Sequence, residues 1–147
     1  MKIIREYLKD HVGSTDKVFV RADYSFPSVD STEFCVFYDK RTKLCQIHDV
    51  KPETCRAGPV TFDINRRTKM VEWFLKTREL CTFAGELFDN PEKLNAHLRV
   101  SKGEIMRLIC ELDVADLQAI LKRDEPQTFK IGEDVLPEEV LAKLGLE

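Results

Sequence analysis

The hydrophobic pattern changes near residue 83, and this change constrains the fold more than any other feature. Before it, apolar residues alternate. Val60–Ile64 and Met70–Leu75 flank a polar turn at residues 65–69, which predicts a β-hairpin. Phe34–Tyr38 and Leu44–His48 flank a second polar turn at residues 39–43 and predict another hairpin. The loose alternation of Lys17–Tyr24 indicates a further strand.

Beyond residue 83 the pattern is helical, with apolar residues three and four positions apart. The predicted helices are one from Pro91 to about Arg99, one that begins with a Ser101–Glu104 capping box, one capped by Asp113, and one from Pro137 to Gly145. Residues 125–134 contain proline and glycine without a helical period, so they are predicted to be a connector.

These patterns predict an α+β fold, with short antiparallel hairpins in the N-terminal half and a helical C-terminal half. Between the hairpins, Pro52 opens one predicted helical turn through Cys55, which Gly58 and Pro59 end. Residues 1–83 carry 15 basic and 12 acidic residues, whereas residues 84–147 carry 8 and 14. We therefore expect a cysteine-bearing hairpin part, 1–83, and an acidic helical part, 84–147, within one compact domain.

Composition excludes several classes of protein. No apolar run reaches the ~18 residues that cross a membrane, and the charged start MKIIREYLKD does not resemble a secretory signal. We therefore expect a cytoplasmic protein without a membrane partner. The net charge of −3 argues against general nucleic-acid binding. The basic turn residues are expected to be solvated, the alternative being a positive edge for phosphate or an acidic partner: Lys40, Arg41, Lys43, Arg66, Arg67 and Lys69.

The cysteines are concentrated in the first part. Cys35, Cys45 and Cys55 are separated by nine residues each, and Cys81 follows after twenty-five. A reducing cytosol disfavours disulfides, and thiolates are the ligands that zinc and iron–sulfur clusters prefer. No Cys-x-x-Cys pair occurs, so spacing leaves a second interpretation open, in which these are small buried hydrophobic residues. Cys110 lies on a helical stripe and is predicted to be buried and not a ligand.

The run from Cys45 to Pro59, CQIHDVKPETCRAGP, resembles the later motif of the YkgJ family, a zinc- or iron-chelating cysteine-cluster domain. The matching positions are Cys45, Ile47, His48, Lys51, Pro52, Cys55, Arg56 and Pro59. Cys35 and Cys81 fall where the family has further cysteines. The resemblance, over about residues 33–83, implies a metal site formed by Cys35, Cys45, Cys55 and Cys81 that holds zinc or an iron–sulfur cluster.

This chain departs from the family at the opening cluster, roughly Cys-x-x-Cys-x-x-x-Cys-Cys, because no cysteine precedes Cys35. The site is therefore either reduced to the four cysteines or lost; a shortened gene start is the third alternative. His48 is expected to pack rather than ligate, since the family position is often tyrosine. Arg56 is either a cation that lowers the pKa of a thiolate or a surface residue. His11 and His97 are expected to be surface or capping residues.

Three functions follow. The first is a small intracellular metal-binding protein of unknown role, whose cysteines hold one zinc or iron–sulfur centre. The second is an accessory component of a redox or protein-methylation enzyme, because some larger relatives are associated with flagellin lysine methylation. The third is a metal-free interaction module with a vestigial site, which needs a protein partner. The sequence contains no phosphate-binding loop or catalytic triad pattern, so it assigns no catalytic residue.

Overall fold

A computed structural model describes residues 2–11, 13, 35–125 and 127–146. The chain forms two compact units, residues 1–52 and 53–147. The predicted strand at Lys17–Tyr24 lies outside the described residues. The predicted division at residue 83 into two parts of one domain stays a prediction. Within the described parts of the chain, every helix is too short or too polar to cross a bilayer.

The first unit contains one amphipathic helix and a small hairpin. Helix α1 (Lys2–His11) buries Ile4 and Leu8. Strands β1 (Tyr38–Asp39) and β2 (Leu44–Cys45) pair antiparallel, and a 3₁₀ turn covers His48–Val50. The predicted hairpin is thus present, but its strands have two residues each, because β2 ends at Cys45 and a 3₁₀ turn begins at His48. Among the described residues of this unit, the buried apolar side chains form one cluster: Ile4, Leu8, Val36, Phe37 and Ile47.

The second unit is built on a three-stranded antiparallel sheet in the order β3-β4-β5. Its elements are α2 (Glu53–Ala57), β3 (Val60–Asn65), β4 (Met70–Lys76), α3 (Thr82–Phe88), α4 (Pro91–Glu111), α5 (Val114–Leu121), β5 (Thr128–Val135) and α6 (Glu138–Leu144). The central strand β4 buries Val71, Trp73 and Leu75 completely. These side chains belong to one core with Ile105 and Ile109 of α4, Leu117 of α5 and Val140 of α6. The α+β class is confirmed.

The same kind of side-chain-to-backbone hydrogen bond stabilises the turns of both hairpins. Asp39 accepts hydrogen bonds from the backbone N–H groups of Arg41 and Thr42, at 2.8 and 3.4 Å, and Asn65 does the same for residues 67 and 68, at 3.2 Å each. In both turns the fourth residue after the Asx residue, Lys43 or Lys69, has a φ of 59°. Asp and Asn favour such turns because their side chains reach backbone donors two and three residues ahead.

Two predicted elements are wrong. The capping box at Ser101 and Glu104 does not exist, because α4 runs without a break from Pro91 to Glu111 and its N-cap is Asn90, which accepts from Lys93 N–H. Residues 128–134 of the predicted connector belong to β5, which pairs with β4. By contrast, Asp113 caps α5 as predicted, and Gly145 ends α6 with a φ of 66°.

Candidate metal centre

Cys45 lies in β2 of the first unit, directly opposite Tyr38. Its side chain is half-buried and packs against the apolar cluster of this unit. The neighbouring residue Gln46 has a buried side-chain oxygen that accepts no hydrogen bond from the described part of the chain. Cys45 therefore packs against apolar side chains of the first unit.

Helix α1 contacts the 3₁₀ turn that follows β2. The Tyr7 hydroxyl of α1 donates a hydrogen bond of 3.1 Å to the Asp49 carboxylate in the 3₁₀ turn. Partial desolvation raises the pKa of Tyr7, and this hydrogen bond and the charges of Asp49 and Cys45 raise it further. His48, which matches the family position, is exposed in that turn.

Cys35 is exposed and precedes the hairpin. Its carbonyl oxygen accepts a hydrogen bond of 2.9 Å from the Tyr38 N–H, so the chain turns between Cys35 and β1. The first unit therefore has an exposed thiol, Cys35, just before the hairpin and a half-buried thiol, Cys45, within it.

Cys55 is the central residue of α2 in the second unit and is exposed. The helix begins after Pro52, as predicted, and its last turn is closed by the Gly58 N–H, which donates to Thr54 O at 3.1 Å. The next residue, Arg56, lies 3.0 Å from the Glu104 carboxylate and 3.7 Å from that of Glu53. Its charge is therefore shared with two carboxylates of α2 and α4.

Cys81 occupies the N-cap position of α3 with an extended backbone, and its sulfur makes no capping hydrogen bond. The side chain is half-buried and packs against the core of the second unit. Its N–H donates to Thr77 O at 3.0 Å, which fixes the backbone before the helix. Since serine, threonine, aspartate or asparagine is the usual N-cap, the cysteine gives no advantage to the helix here.

Four of the five cysteine thiols are candidate ligands for a soft metal, and two belong to each unit. The described residues include all five cysteines, and none of these forms a disulfide. Four thiols are the ligands expected for zinc or an iron–sulfur cluster. Cys35 and Cys45 belong to the first unit, and Cys55 and Cys81 to the second. Within either unit, the described residues include no group of three or more histidine, cysteine, aspartate or glutamate side chains placed to hold a metal ion. The four-cysteine site stays a prediction.

A family described as "Putative zinc- or iron-chelating domain" and named CxxCxxCC matches residues 2–82, more than half of the chain. The chain belongs to the CxxCxxCC family. The resemblance to the YkgJ type of cysteine-cluster domain is thereby confirmed. No curated protein and no solved structure matches the chain.

This member of the CxxCxxCC family lacks the motif that names the family. The matched range begins at residue 2, yet residues 2–34 contain no cysteine and the spacing Cys-x-x-Cys occurs nowhere in the chain. The opening cysteines of the family motif therefore have no counterpart among residues 2–34. The remaining thiols suffice for one tetrahedral metal ion or one small cluster.

Two residues of α4, Ser101 and His97, contact the end of α2. Ser101, the supposed helix cap, is fully buried, and its hydroxyl lies 3.0 Å from Ala57 O. His97 is half-buried, and its Nε2 lies 3.2 Å from Ala57 O and 3.1 Å from Gly58 O. These contacts join residues about 40 positions apart, so no local pattern in the sequence could have indicated them.

Cys110 is half-buried rather than fully buried. Desolvation raises the pKa of its thiol to about 11, with a further contribution from Glu139 that outweighs the opposing charge of Lys143. Burial therefore disfavours the thiolate of Cys110, which is the form that binds metals.

Replacing Cys110 with alanine is expected to leave the metal content of the chain unchanged, because burial disfavours the thiolate form of this side chain. Metal per chain, measured by plasma mass spectrometry on anaerobically prepared protein, checks this expectation. A clear loss of metal in Cys110→Ala would show that this cysteine belongs to the site.

Proposed function

We propose that the chain binds one zinc ion or one iron–sulfur centre through the thiolates of Cys35, Cys45, Cys55 and Cys81. Membership of the CxxCxxCC family carries the proposal, because the family is described as zinc- or iron-chelating. The match of Cys45 and Cys55 to the later family motif, with the intervening proline, supports these two thiols as ligands most directly.

A structural role for the bound centre fits the first unit. Strands β1 and β2 have two residues each, and an isolated hairpin is at best marginally stable in water. When bound, a metal ion cross-links its thiolate ligands and contributes its binding free energy to folding. The cysteines hold the centre, and we propose no catalytic step for this chain. A cytoplasmic location, which keeps the thiols reduced, belongs to this proposal.

Anaerobic purification followed by zinc, iron and acid-labile sulfide analysis tests the proposal. A colourless protein with about one zinc per chain supports a zinc site. A brown protein that contains iron and sulfide in equal amounts supports an iron–sulfur centre. Protein that contains neither metal, and that takes up neither zinc nor iron with sulfide after reduction of its thiols, would refute metal binding.

One observation favours a second function, a metal-free interaction module that keeps the family fold. Residues 2–34 of the matched range contain no cysteine, so the ligand set has already been reduced relative to the family motif. If the site is vestigial, replacing Cys45 and Cys55 will alter neither metal content nor stability beyond the loss of packing. The same metal analysis therefore separates the two functions. A role as an accessory component of a redox or protein-methylation enzyme requires the metal-bound form.

A further inference from the structure

Helix α2 needs external support because it has five residues, and Cys55 is at its centre. Isolated helices shorter than about 12 residues are marginal in water, so a single helical turn keeps its shape only through tertiary contacts. The described contacts of α2 are made chiefly with α4 and with the start of β3. The geometry of the Cys55 backbone therefore depends on how α2 is attached to α4.

The C-terminal end of α2 is capped by two side chains of α4. The Ser101 hydroxyl lies 3.0 Å from Ala57 O and 2.9 Å from His97 O, so one acceptor takes its proton at a time. The His97 Nε2–H donates to Ala57 O and Gly58 O, the carbonyls that α2 leaves without a helical partner. Ala57 and Ser101 are fully buried, so water does not replace these hydrogen bonds readily.

Charged groups join the exposed side of the same two helices. The Glu104 carboxylate of α4 lies 3.0 Å from the Arg56 guanidinium and 2.5 Å from that of Arg107. Arg107 also lies 3.6 Å from the Glu53 carboxylate of α2. Only 19% of the Glu104 side chain is exposed, so this network is screened less than ordinary surface ion pairs. Glu104 thus contacts the residue that directly follows Cys55.

We infer that His97, Ser101 and Glu104, the α4 clamp, are positioning residues that hold α2 and so set the orientation of the Cys55 thiol for metal binding. This inference rests on the proposed function. Residues that orient a ligand typically change metal affinity by about 10–100-fold when they are removed, because the ligand must otherwise be ordered on binding. Metal binding at Cys55 is thereby coupled to the packing of α2 on α4, although no clamp residue is itself a ligand.

Zinc affinity of clamp variants tests the coupling. We use Zn²⁺ alone as the probe, measured by competition with a chromophoric chelator, because thiolate sites bind it whichever metal they hold in the cell. Ser101→Ala is expected to weaken zinc binding about fivefold, and the double variant Ser101→Ala/His97→Leu more than about tenfold, since each removes hydrogen bonds to buried carbonyls. The variant Ser101→Ala/His97→Gln keeps a hydrogen-bond donor at position 97. It should therefore bind zinc more tightly than Ser101→Ala/His97→Leu.

Lys143→Met is the matched control within the same unit. The Lys143 amine donates to the carbonyls of Ile109, Cys110 and Leu112 at the C-terminal end of α4, at 2.9, 2.7 and 2.6 Å. Its loss is expected to lower the unfolding midpoint without changing zinc affinity more than about twofold. If the α4 clamp only stabilised the fold, Lys143→Met and the Ser101 and His97 variants would change zinc affinity equally. That result would overturn the inference.

Hydrogen exchange in metal-free protein separates this inference from the proposed function. The Gly58 amide, which donates to Thr54 O, reports opening of α2. We expect its exchange to accelerate more than about tenfold in the double variant and to follow only global stability in Lys143→Met. Unchanged exchange would overturn the clamp itself. If the unaltered chain binds neither zinc nor iron with sulfide, the proposed function and the coupling are both refuted, while the exchange experiment still decides whether α4 holds α2.

Discussion

Replacing Cys45 or Cys55 with serine is expected to weaken metal binding more than about 100-fold, since even residues that only support a ligand contribute 10–100-fold. Serine is nearly isosteric with cysteine, but its hydroxyl stays protonated at neutral pH and is a hard donor that suits zinc and iron–sulfur centres poorly. Metal per chain after anaerobic desalting measures the effect directly. A chain that retains its full metal content in both variants would contradict the assignment of these two ligands.

The same variants should lose the stability that metal supplies. A ligand present at about 1,000 times its Kd stabilises the folded state by about 4 kcal/mol, and this contribution disappears with the site. Thermal unfolding with and without a strong chelator measures it: the chelator should lower the midpoint of the unaltered chain and of Cys110→Ala, and leave Cys45→Ser unchanged. Equal chelator sensitivity in all three would show that metal is bound elsewhere.

Replacing Trp73 with alanine is expected to destabilise the second unit by about 3–5 kcal/mol, the usual cost of removing a buried tryptophan. Trp73 is 0% exposed on the central strand, and its Nε1–H donates to the Asp134 carboxylate of β5 at 2.6 Å. The Lys102 amine lies 5.6 Å from the ring centroid and 2.6 Å from the same carboxylate. Burial alone would raise the pKa of Asp134, but hydrogen bonds from Lys102 and Trp73 hold it below its usual value.

Denaturant unfolding followed by far-ultraviolet circular dichroism measures this loss, because Trp73 is the only tryptophan and its fluorescence disappears with the substitution. Trp73→Phe is the control. It keeps most of the buried ring but loses the Nε1–H bond, and is expected to lose about 1–2 kcal/mol. A loss below about 1 kcal/mol for Trp73→Ala would contradict the central position of this side chain in the core.

The sequence predicted the elements whose signals are local. The β3–β4 hairpin, the turn after Pro52, the Asp113 cap and the Gly145 helix end were correct because turn and cap chemistry acts over a few residues. Strand β5 was missed because its apolar alternation is interrupted. Trp73 pairs with Gly132, whereas Phe74 pairs with Lys130, so Ile131 is an extra residue at an irregularity in the register. An inserted residue of this kind shifts the side chains beyond it to the opposite face.

Ser101 shows how a local signal can mislead. Its spacing to Glu104 is that of a capping box, yet the hydroxyl lies within hydrogen-bond distance of His97 O, four residues earlier, inside a continuous helix. Glu104 bonds Arg56 and Arg107 instead. Ser101 and Glu104 therefore both contact α2. The sequence alone does not indicate these contacts.

For the candidate site, the sequence indicated the family and the four thiols but not their arrangement. The family was recognisable because Cys45, Pro52 and Cys55 lie in one short run with fixed spacing. Convergence of four thiols is a tertiary property, and Cys81 is separated from Cys55 by the whole β3–β4 hairpin. Its place in the ligand set consequently rests on the resemblance.

Because β4 pairs with β5, the second unit extends beyond the segment that the family model matches. The matched segment ends at residue 82, whereas the strand that completes the sheet lies at Thr128–Val135. A fragment cut at the family limit would leave β4 as an unprotected edge, with Val71, Trp73 and Leu75 deprived of the helices that cover them. Exposed apolar edges of this kind pair with other chains and aggregate. The residues after 82 therefore protect the edge of β4 and cover the apolar side chains of the segment that the family model matches.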